Sequence, residues 1–421
     1  MVSFRDLNDT VHSKWQTAAD DWLSLAKHAL RTAEEIRDQG SGPLADNWTD
    51  AVGQRAAAQF EDLANRMEAA YDSMKGVSMV AEGLASTVEM AQRTLRTAND
   101  LAVSYGFEIS DDGELIVPPS HNHMEAEEKG PLRTEVQALI DDALRQATTA
   151  DELAVPELGK LALYVNVADP TKALNQGEND ASHVQMAMLA ADIPKTQDPK
   201  VGRDWWDGLT AKQQHDMMLA EPVELAALPG LPDDVERELR GADGKFDRVK
   251  MVQYALDNYD QPDDTDFGNN CTNFVSESLE HAGMQKKFDP LWGPRGDDTW
   301  GRESGIGIDA WDKSAYHSKS WAGAENQQNF MLDHGGEEVP RSEVKPGDII
   351  YYEQSGPNDD IAAGNTHHAA IVTAVTPDGD IKYTQHSDSY QNVSLDGRLP
   401  AETEAEGQQN IRIVRPHPDW Y

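Results

Sequence analysis

The chain has 421 residues, of which 36 are Lys or Arg and 75 are Asp or Glu, so its formal net charge is −39. This length predicts two or three domains, because a single core rarely grows so large. A field of this sign repels nucleic-acid phosphates and anionic lipids, and no basic patch offsets it, so neither is an expected partner. The sequence has no apolar run of about 18 residues, so no membrane span is predicted. The segment MVSFRDLNDTVHSKW does not resemble a secretory signal peptide.

Residues 8–38 carry apolar side chains at steps of three and four, which predicts a helix with one apolar stripe. The stripe consists of Val11, Trp15, Ala18, Trp22, Leu25, Ala29, Ala33 and Ile36. After the break QGSGPL, a second stripe runs from Val52 to Ala98, and Gly76 and Gly83 are expected to loosen this helix without ending it. The two helices should form a hairpin that buries its stripe against itself or a partner. The following FEISDDGELIVPP predicts a small β-hairpin that turns at Asp-Gly.

The region around the helical turn, GPLADNWTDAVGQRAAAQFEDL with Trp48, resembles the WXG100-like proteins of actinobacterial type VII secretion. Asp50 stands where the Trp-x-Gly signature has its glycine, and no Tyr-x-x-x-Asp/Glu export signal follows the second helix. The resemblance implies a helical partner, a type VII-like export machinery, and a secreted or cell-wall location reached without a classical signal peptide.

We therefore expect a multidomain chain with a helical hairpin over 1–118, a helical middle segment over 119–244 and a C-terminal domain over 245–421. The stretch that begins at Trp205 looks like a linker module found between WXG-like heads and catalytic domains. In the C-terminal domain, helical patterns give way to strand-like runs, namely DIIYYEQ, HHAAIVTAV, DIKYTQHS and NIRIVRP. Helices followed by such runs predict an α+β fold with an antiparallel sheet.

The single cysteine, Cys271, excludes an internal disulfide and a thiolate metal site. A lone cysteine is commonly a small buried hydrophobic residue. In NNCTNFVSESLEHAG, however, Cys271 lies where a loop becomes an amphipathic helix, and the positive end of a helix dipole favours the thiolate. The position therefore suits a nucleophile that attacks a carbonyl. The backbone N–H of Cys271 and the side chain of Asn270 or Asn269 are candidate donors to an oxyanion.

The candidate general base is His368, which opens the strand HAAIVTAV and can face a cleft while alternate residues face the core. The neighbouring His367 would point to the opposite face and is interpreted as a surface residue. A third residue should hold the imidazole in its productive tautomer. His386 and Asp388, both in YTQHSDSY, are the candidates, with His386 favoured.

Five motifs occur in order along the C-terminal domain: NCTNFVSESL at 270–279, HSKSWAGAENQQNF at 317–330, PGDIIYY at 346–352, HHAAIVT at 367–373 and YTQHSDS at 383–389. They are similar to those of the amidase domain family, a branch of papain-like folds related to NlpC/P60 and CHAP hydrolases. That family usually has Asp directly before the cysteine, where Asn270 stands here. The resemblance implies a cysteine amidase or peptidase without a metal or organic cofactor, acting on an amide of peptidoglycan. Trp321 matches a family position that serves substrate binding or packing.

Several other signals are interpreted as structural. The HNH trio at 121–123 lacks nearby cysteine ligands and is expected to be a loop, and the acidic DNYDQPDDTDFGNN does not have the spacing of an EF-hand. Trp292, Trp300 and Trp311 either line a substrate groove or pack in the core. Two other functions stay open: a type VII-delivered toxin that acts on a protein and is neutralised by an immunity protein, and a non-enzymatic protein that binds wall material.

Overall fold

The computed structural model describes residues 1–118, 126–164, 169–261, 270–296, 298–303, 317–358, 361–387, 389–397 and 409–421. The chain divides into two compact units, Met1–Ile193 and Pro194–Tyr421. The predicted boundaries at 118/119 and 244/245 stay predictions. No helix in the described ranges is long and apolar enough to cross a membrane.

The first unit is almost entirely helical. Its helices are α1 (Phe4–Asp9), α2 (His12–Ile36), α3 (Gly42–Asn47), α4 (Ala51–Ser104), α5 (Ala126–Tyr164), α6 (Pro170–Ala173) and α7 (Asp180–Ala191), with π-helical turns at Arg37–Ser41 and Leu174–Asn179. The predicted β-hairpin is present as β1 (Glu108–Ile109) paired antiparallel with β2 (Leu115–Ile116). Its Gly113 has φ +84°, a left-handed conformation that glycine adopts readily.

The two predicted long helices, α2 and α4, pack against each other, and α4 also packs against α5 and α7. As predicted, α4 continues through Gly76. A Cβ added to Gly76 would lie 1.8 Å from the carbonyl oxygen of Gly177, so glycine allows the π-helical turn to approach the middle of α4.

The face that α2 buries coincides only in part with the predicted stripe, which it shares at Ala29 and Ala33. The buried residues of α2 are Ala19, Ala26, Ala29 and Ala33. Trp15, Trp22 and Leu25 are instead 39%, 39% and 53% exposed. The helix therefore has two adjacent apolar faces, and small alanine side chains line the one that contacts α4 because they allow closer packing of the two helices.

The turn that carries Trp48 is organised by Asp50 and Gly53. Asp50 precedes α4 and its Oδ1 accepts hydrogen bonds of 2.9 Å from the backbone N–H groups of both Val52 and Gly53, so it caps the helix. A Cβ on Gly53 would lie 1.9 Å from the carbonyl oxygen of Trp48. Asp50, which replaces the glycine of the Trp-x-Gly signature, therefore acts as a helix cap. Gly53, three positions later, is the glycine that permits the close approach of Trp48.

The second unit contains a six-stranded antiparallel sheet and the helices around it. The helices are α8 (Pro199–Gly208), α9 (Ala211–Ala220), α10 (Pro222–Ala227), α11 (Asp233–Arg240), α12 (Arg248–Asn258), α13 (Cys271–His281), α14 (Lys319–Ala322) and α15 (Ala324–Asp333), with a 3₁₀ turn at Arg341–Glu343. The strands are β3 (Glu337–Glu338), β4 (Ile349–Gln354), β5 (Thr366–Val375), β6 (Ile381–Gln385), β7 (Tyr390–Ser394) and β8 (Gln409–Arg415). Their order in the sheet is β3-β8-β4-β5-β6-β7.

The α+β prediction for this unit is therefore confirmed, and four of the strands lie in the predicted runs. The core joins the apolar side of α13 to the central strands, with Phe274, Val275 and Leu279 among its members. Because β5 lies between β4 and β6, it is buried along nearly its whole length. This packing places the beginning of α13 beside the beginning of β5.

One buried ion cluster fastens the start of β4 to the rest of the unit. Asp348 is fully buried and its carboxylate accepts two hydrogen bonds from Arg415, of 3.0 and 2.8 Å. Arg248 of α12 donates a third at 3.2 Å. Because a buried carboxylate is costly without such partners, this cluster fixes α12 and β8 around the turn that begins β4.

Candidate active site

Cys271 is the first residue of α13, as the sequence predicts. The preceding residue, Asn270, has φ −103° and ψ 2°, and its carbonyl oxygen accepts the N–H of Phe274 at 2.9 Å. Most of α13 is buried, because the helix runs through the core instead of along the surface. The thiol therefore lies at the positive end of a buried helix, where an anion is favoured.

His368 lies near the start of β5 and faces Cys271, so the predicted pairing of these two residues is present. In the sheet it pairs with Tyr352 of β4, whose ring stands edge-on to the imidazole at 5.5 Å between centroids. The adjacent His367 is half-buried, and its Nε2 lies 2.8 Å from Oε1 of Gln409 on a neighbouring segment. Strand alternation explains why only one of the two histidines reaches the thiol.

The electrostatics around Cys271 favour a thiolate. Burial raises the pKa of the thiol, but the charge of His368 and its hydrogen bond to the sulfur lower it. The hydroxyl of Thr272, 3.6 Å from Sγ, and a hydrogen bond from the backbone of Ala369 lower it further. The net result is a pKa below the ordinary value for cysteine, which is the property that a reactive thiol requires.

The partner of the imidazole is Gln385, the last residue of β6 and a residue that the sequence analysis did not propose. Nε2 of His368 lies 3.0 Å from Oε1 of Gln385. Since an amide oxygen only accepts hydrogen bonds, Nε2 carries the hydrogen and Nδ1 is left for the thiol. The register aligns Ile371 with Thr384, so Gln385 comes next along β6, toward the end of β5 that carries His368.

The two proposed third residues are not seen in that role. His386 directs its ring nitrogens to Asn270 and to the backbone oxygen of Gln261, at 3.5 and 2.8 Å. Asp388 lies outside the described residues. The difference of one position arises because β6 ends at Gln385, so His386 is past the regular strand and the alternation rule no longer determines where it points.

Trp321 does not contact solvent. Its side chain is fully buried, its indole N–H donates to Oδ1 of Asn273 at 2.6 Å, and it packs against Trp300 at 5.2 Å between ring centroids. Of the two alternatives for this position, the structure shows packing. Trp292 is exposed, and Trp311 lies outside the described residues.

Within the described residues, no group of three or more His, Cys, Asp or Glu side chains is arranged to hold a metal ion. The HNH trio and most of the acidic segment before Cys271, residues 262–269, lie outside the described ranges. The described part of the site is thus a buried thiol, an imidazole and an amide, and Cys271, His368 and Gln385 are only 3%, 4% and 1% exposed. Such an arrangement can carry out nucleophilic acyl transfer.

Comparison with known proteins indicates the kind of bond on which such a site would act. Residues 245–410 match the model of the family described as "Putative amidase domain", and this match supports a hydrolase that acts on amide bonds. It includes the thiol, the imidazole and the amide of the site.

Among curated proteins, the chain is similar to the uncharacterised protein YhbB of Bacillus subtilis (strain 168). The two are 29% identical over 166 residues, which cover 37% of this chain and 49% of YhbB. The chain thus spans about half the length of the relative that it matches. No solved structure matches the chain.

Proposed function

We propose that the C-terminal unit is a papain-like cysteine amidase in which Cys271 is the nucleophile, His368 is the general acid and base, and Gln385 orients the imidazole. The observation that carries the proposal is the contact of Cys271 with His368, together with the lowered pKa of the thiol. A merely structural buried cysteine would have its pKa raised by burial, and here the neighbouring groups reverse that effect.

In the acylation step, the thiolate of Cys271 attacks the carbonyl carbon of the substrate amide. The hydrogen on Nε2 of His368 stays bonded to Gln385. The hydrogen on Nδ1 of the imidazolium is the proton that is transferred to the leaving group. The C–N bond then breaks, the proton passes to the leaving amine, and a thioester forms on the sulfur. His368 is left neutral.

In the deacylation step, neutral Nδ1 of His368 removes a proton from water, and the hydroxide attacks the thioester carbonyl. The C–S bond breaks, the carboxylic acid product leaves, and the thiolate–imidazolium pair is restored. The backbone N–H of Cys271, at the start of α13, is the proposed donor to the oxyanion in both steps. This cycle uses no metal or organic cofactor.

For the substrate we propose an amide of peptidoglycan, either within the stem peptide or between muramic acid and L-Ala, because the five ordered motifs resemble wall-directed amidases. The test is mass spectrometry of purified peptidoglycan after incubation with the wild type, Cys271→Ala and His368→Ala. New fragments from the wild type alone would support the proposal, and their masses would identify the bond. His367→Ala is the matched control, because that ring contacts Gln409 and should leave activity intact.

Intact peptidoglycan with every variant, combined with rapid alkylation of Cys271, would favour the toxin alternative and a protein substrate. Failure of a thiol-directed electrophile to label Cys271 at neutral pH would favour a non-enzymatic wall-binding protein. Cleavage by Cys271→Ala equal to that by the wild type would refute the cysteine mechanism itself.

For the N-terminal unit we propose docking to a helical WXG100-like partner and secretion by a type VII-like machinery to the cell surface. The supporting observation is the exposed apolar face of α2, formed by Trp15, Trp22 and Leu25, with the exposed Val11 directly before the helix. These residues recur at helical spacing, so they lie on one side of the helix and fit an amphipathic partner helix. If deletion of residues 1–104 leaves secretion unchanged, this proposal is wrong.

A further inference from the structure

We infer that His386 is a positioning residue that holds Asn270, and through it the start of α13, and that it takes no part in proton transfer. The inference rests on the proposed cysteine mechanism. It extends that mechanism to a histidine that sequence analysis favoured as a catalytic residue and that the structure places in a different set of contacts.

A chain of hydrogen bonds links Trp321 to Gln261 through Asn270, the residue directly before the nucleophile. The indole N–H of Trp321 donates to Oδ1 of Asn273 at 2.6 Å. Nδ2 of Asn273 then donates to Oδ1 of Asn270 at 2.7 Å, and Nδ2 of Asn270 lies 3.5 Å from Nδ1 of His386. The chain ends where Nε2 of His386 lies 2.8 Å from the carbonyl oxygen of Gln261.

The two ends of the chain determine the direction of every bond in it. An indole N–H can only donate and a backbone carbonyl can only accept, so each amide between them must accept through oxygen and donate through nitrogen. His386 therefore accepts at Nδ1 and donates at Nε2. This is the neutral imidazole with its hydrogen on Nε2, because a protonated ring has no lone pair to accept the bond from Asn270.

This arrangement connects two points of the chain that are separated in sequence. Gln261 follows α12 and Asn270 directly precedes Cys271, and His386 contacts both. The ring of His386 also packs on Phe274 of α13 at 5.4 Å between centroids. Asn270 is nearly buried, so little water can reach its amide to replace the contact with His386 if that contact is lost.

The contacts of His386 also separate it from the catalytic pair. Both of its ring nitrogens are directed to Asn270 and Gln261, whereas the Nε2 of His368 is directed to Gln385. Loss of His386 should therefore disturb the geometry of the nucleophile without changing the ionisation of the thiol.

Three substitutions test this inference. His386→Asn places an amide oxygen near the position of Nδ1 and keeps the acceptor for Asn270, whereas His386→Gln reaches the position of Nε2 and keeps only the contact with Gln261. We expect His386→Gln to lower kcat/KM by about 5- to 10-fold, because it loses the hydrogen bond to Asn270. His386→Ala, which also loses the contact with Gln261, should lower it by at least as much, and His386→Asn should retain most of the activity. The pH profile of Cys271 alkylation should be unchanged in all three.

A second readout is independent of activity. Nitrogen NMR of the full-length protein labelled at histidine, assigned by the signal missing in His386→Asn, should show a neutral ring protonated at Nε2 at mildly alkaline pH. A ring protonated at Nδ1 would overturn the inference. So would a loss in His386→Ala as large as that in Cys271→Ala, equal loss in the Asn and Gln variants, or no loss in any variant. Full activity of Cys271→Ala would instead refute the proposed mechanism and leave the NMR result to decide the contacts of His386.

Discussion

Replacement of Gln385 by Ala tests the part of the active site that only the structure revealed. The substitution removes the acceptor that lies 3.0 Å from Nε2 of His368 and leaves that N–H buried. A hydrogen bond to a charged group is worth about 1.5–3 kcal/mol, and each factor of ten in rate corresponds to about 1.4 kcal/mol. We therefore expect kcat/KM to fall by about 10- to 150-fold.

The same substitution should change the reactivity of the thiol. The imidazolium of His368 is among the groups that lower the pKa of Cys271, and Gln385 stabilises that imidazolium. Without the amide, the thiolate should form only at higher pH, so the rate of alkylation by iodoacetamide should rise at a higher pH than in the wild type. Because the chain has a single cysteine, mass spectrometry of the intact protein reports this site alone.

Two further variants make the outcome decisive. Gln385→Glu supplies a negative acceptor, which should stabilise the imidazolium and move the alkylation profile to lower pH than Gln385→Ala. Gln391→Ala is the matched control, since its amide donates to the carbonyl of Leu256 at 2.9 Å and should leave the profile in place. If Gln385→Ala shows wild-type activity and a wild-type alkylation profile, Gln385 does not orient His368.

Three other predictions concern stability. Asp348→Asn should destabilise the C-terminal unit by about 3 kcal/mol in urea unfolding, because it leaves two partly buried guanidinium groups uncompensated. Asp396→Asn, which breaks an exposed ion pair, should cost less than about 1 kcal/mol. Equal effects of the two substitutions would contradict this account. Gly53→Ala should lower the melting temperature, since its Cβ would overlap a backbone oxygen, while Gly159→Ala, with open space around it, should have no such effect or raise it. Asp192 is fully buried, and burial raises its pKa well above the usual value, while the hydrogen bond to Thr87 lowers the pKa by less. The folded state therefore binds more protons than the unfolded state, so the free energy of unfolding should decrease as pH rises above the pKa of the unfolded state. Asp192→Asn should remove this decrease.

Local patterns determined much of what is seen here. The period of the apolar residues located α2 and α4, and the Asp-Gly dipeptide located the turn between β1 and β2. The strand-like runs predicted β4, β5, β6 and β8. The junction of a loop with an amphipathic helix identified Cys271. The resemblance of HHAAIVT to the family motif selected His368, and strand alternation placed the adjacent His367 on the opposite face. Each of these features depends on residues close together in sequence, so the sequence alone was sufficient.

Tertiary packing decided the rest. The apolar pattern of α2 allowed two adjacent faces, and the partner helix selected the alanine face because α4 can approach it more closely. Trp321 matched a family position that serves either substrate binding or core packing. In the structure its side chain is fully buried and bonded to Asn273 of α13, so it is a packing residue. The partner of His368 is Gln385 and not His386, because β6 ends at Gln385 and the last residue of the strand faces the imidazole. The alternation of residues in the sequence does not reveal where the strand ends.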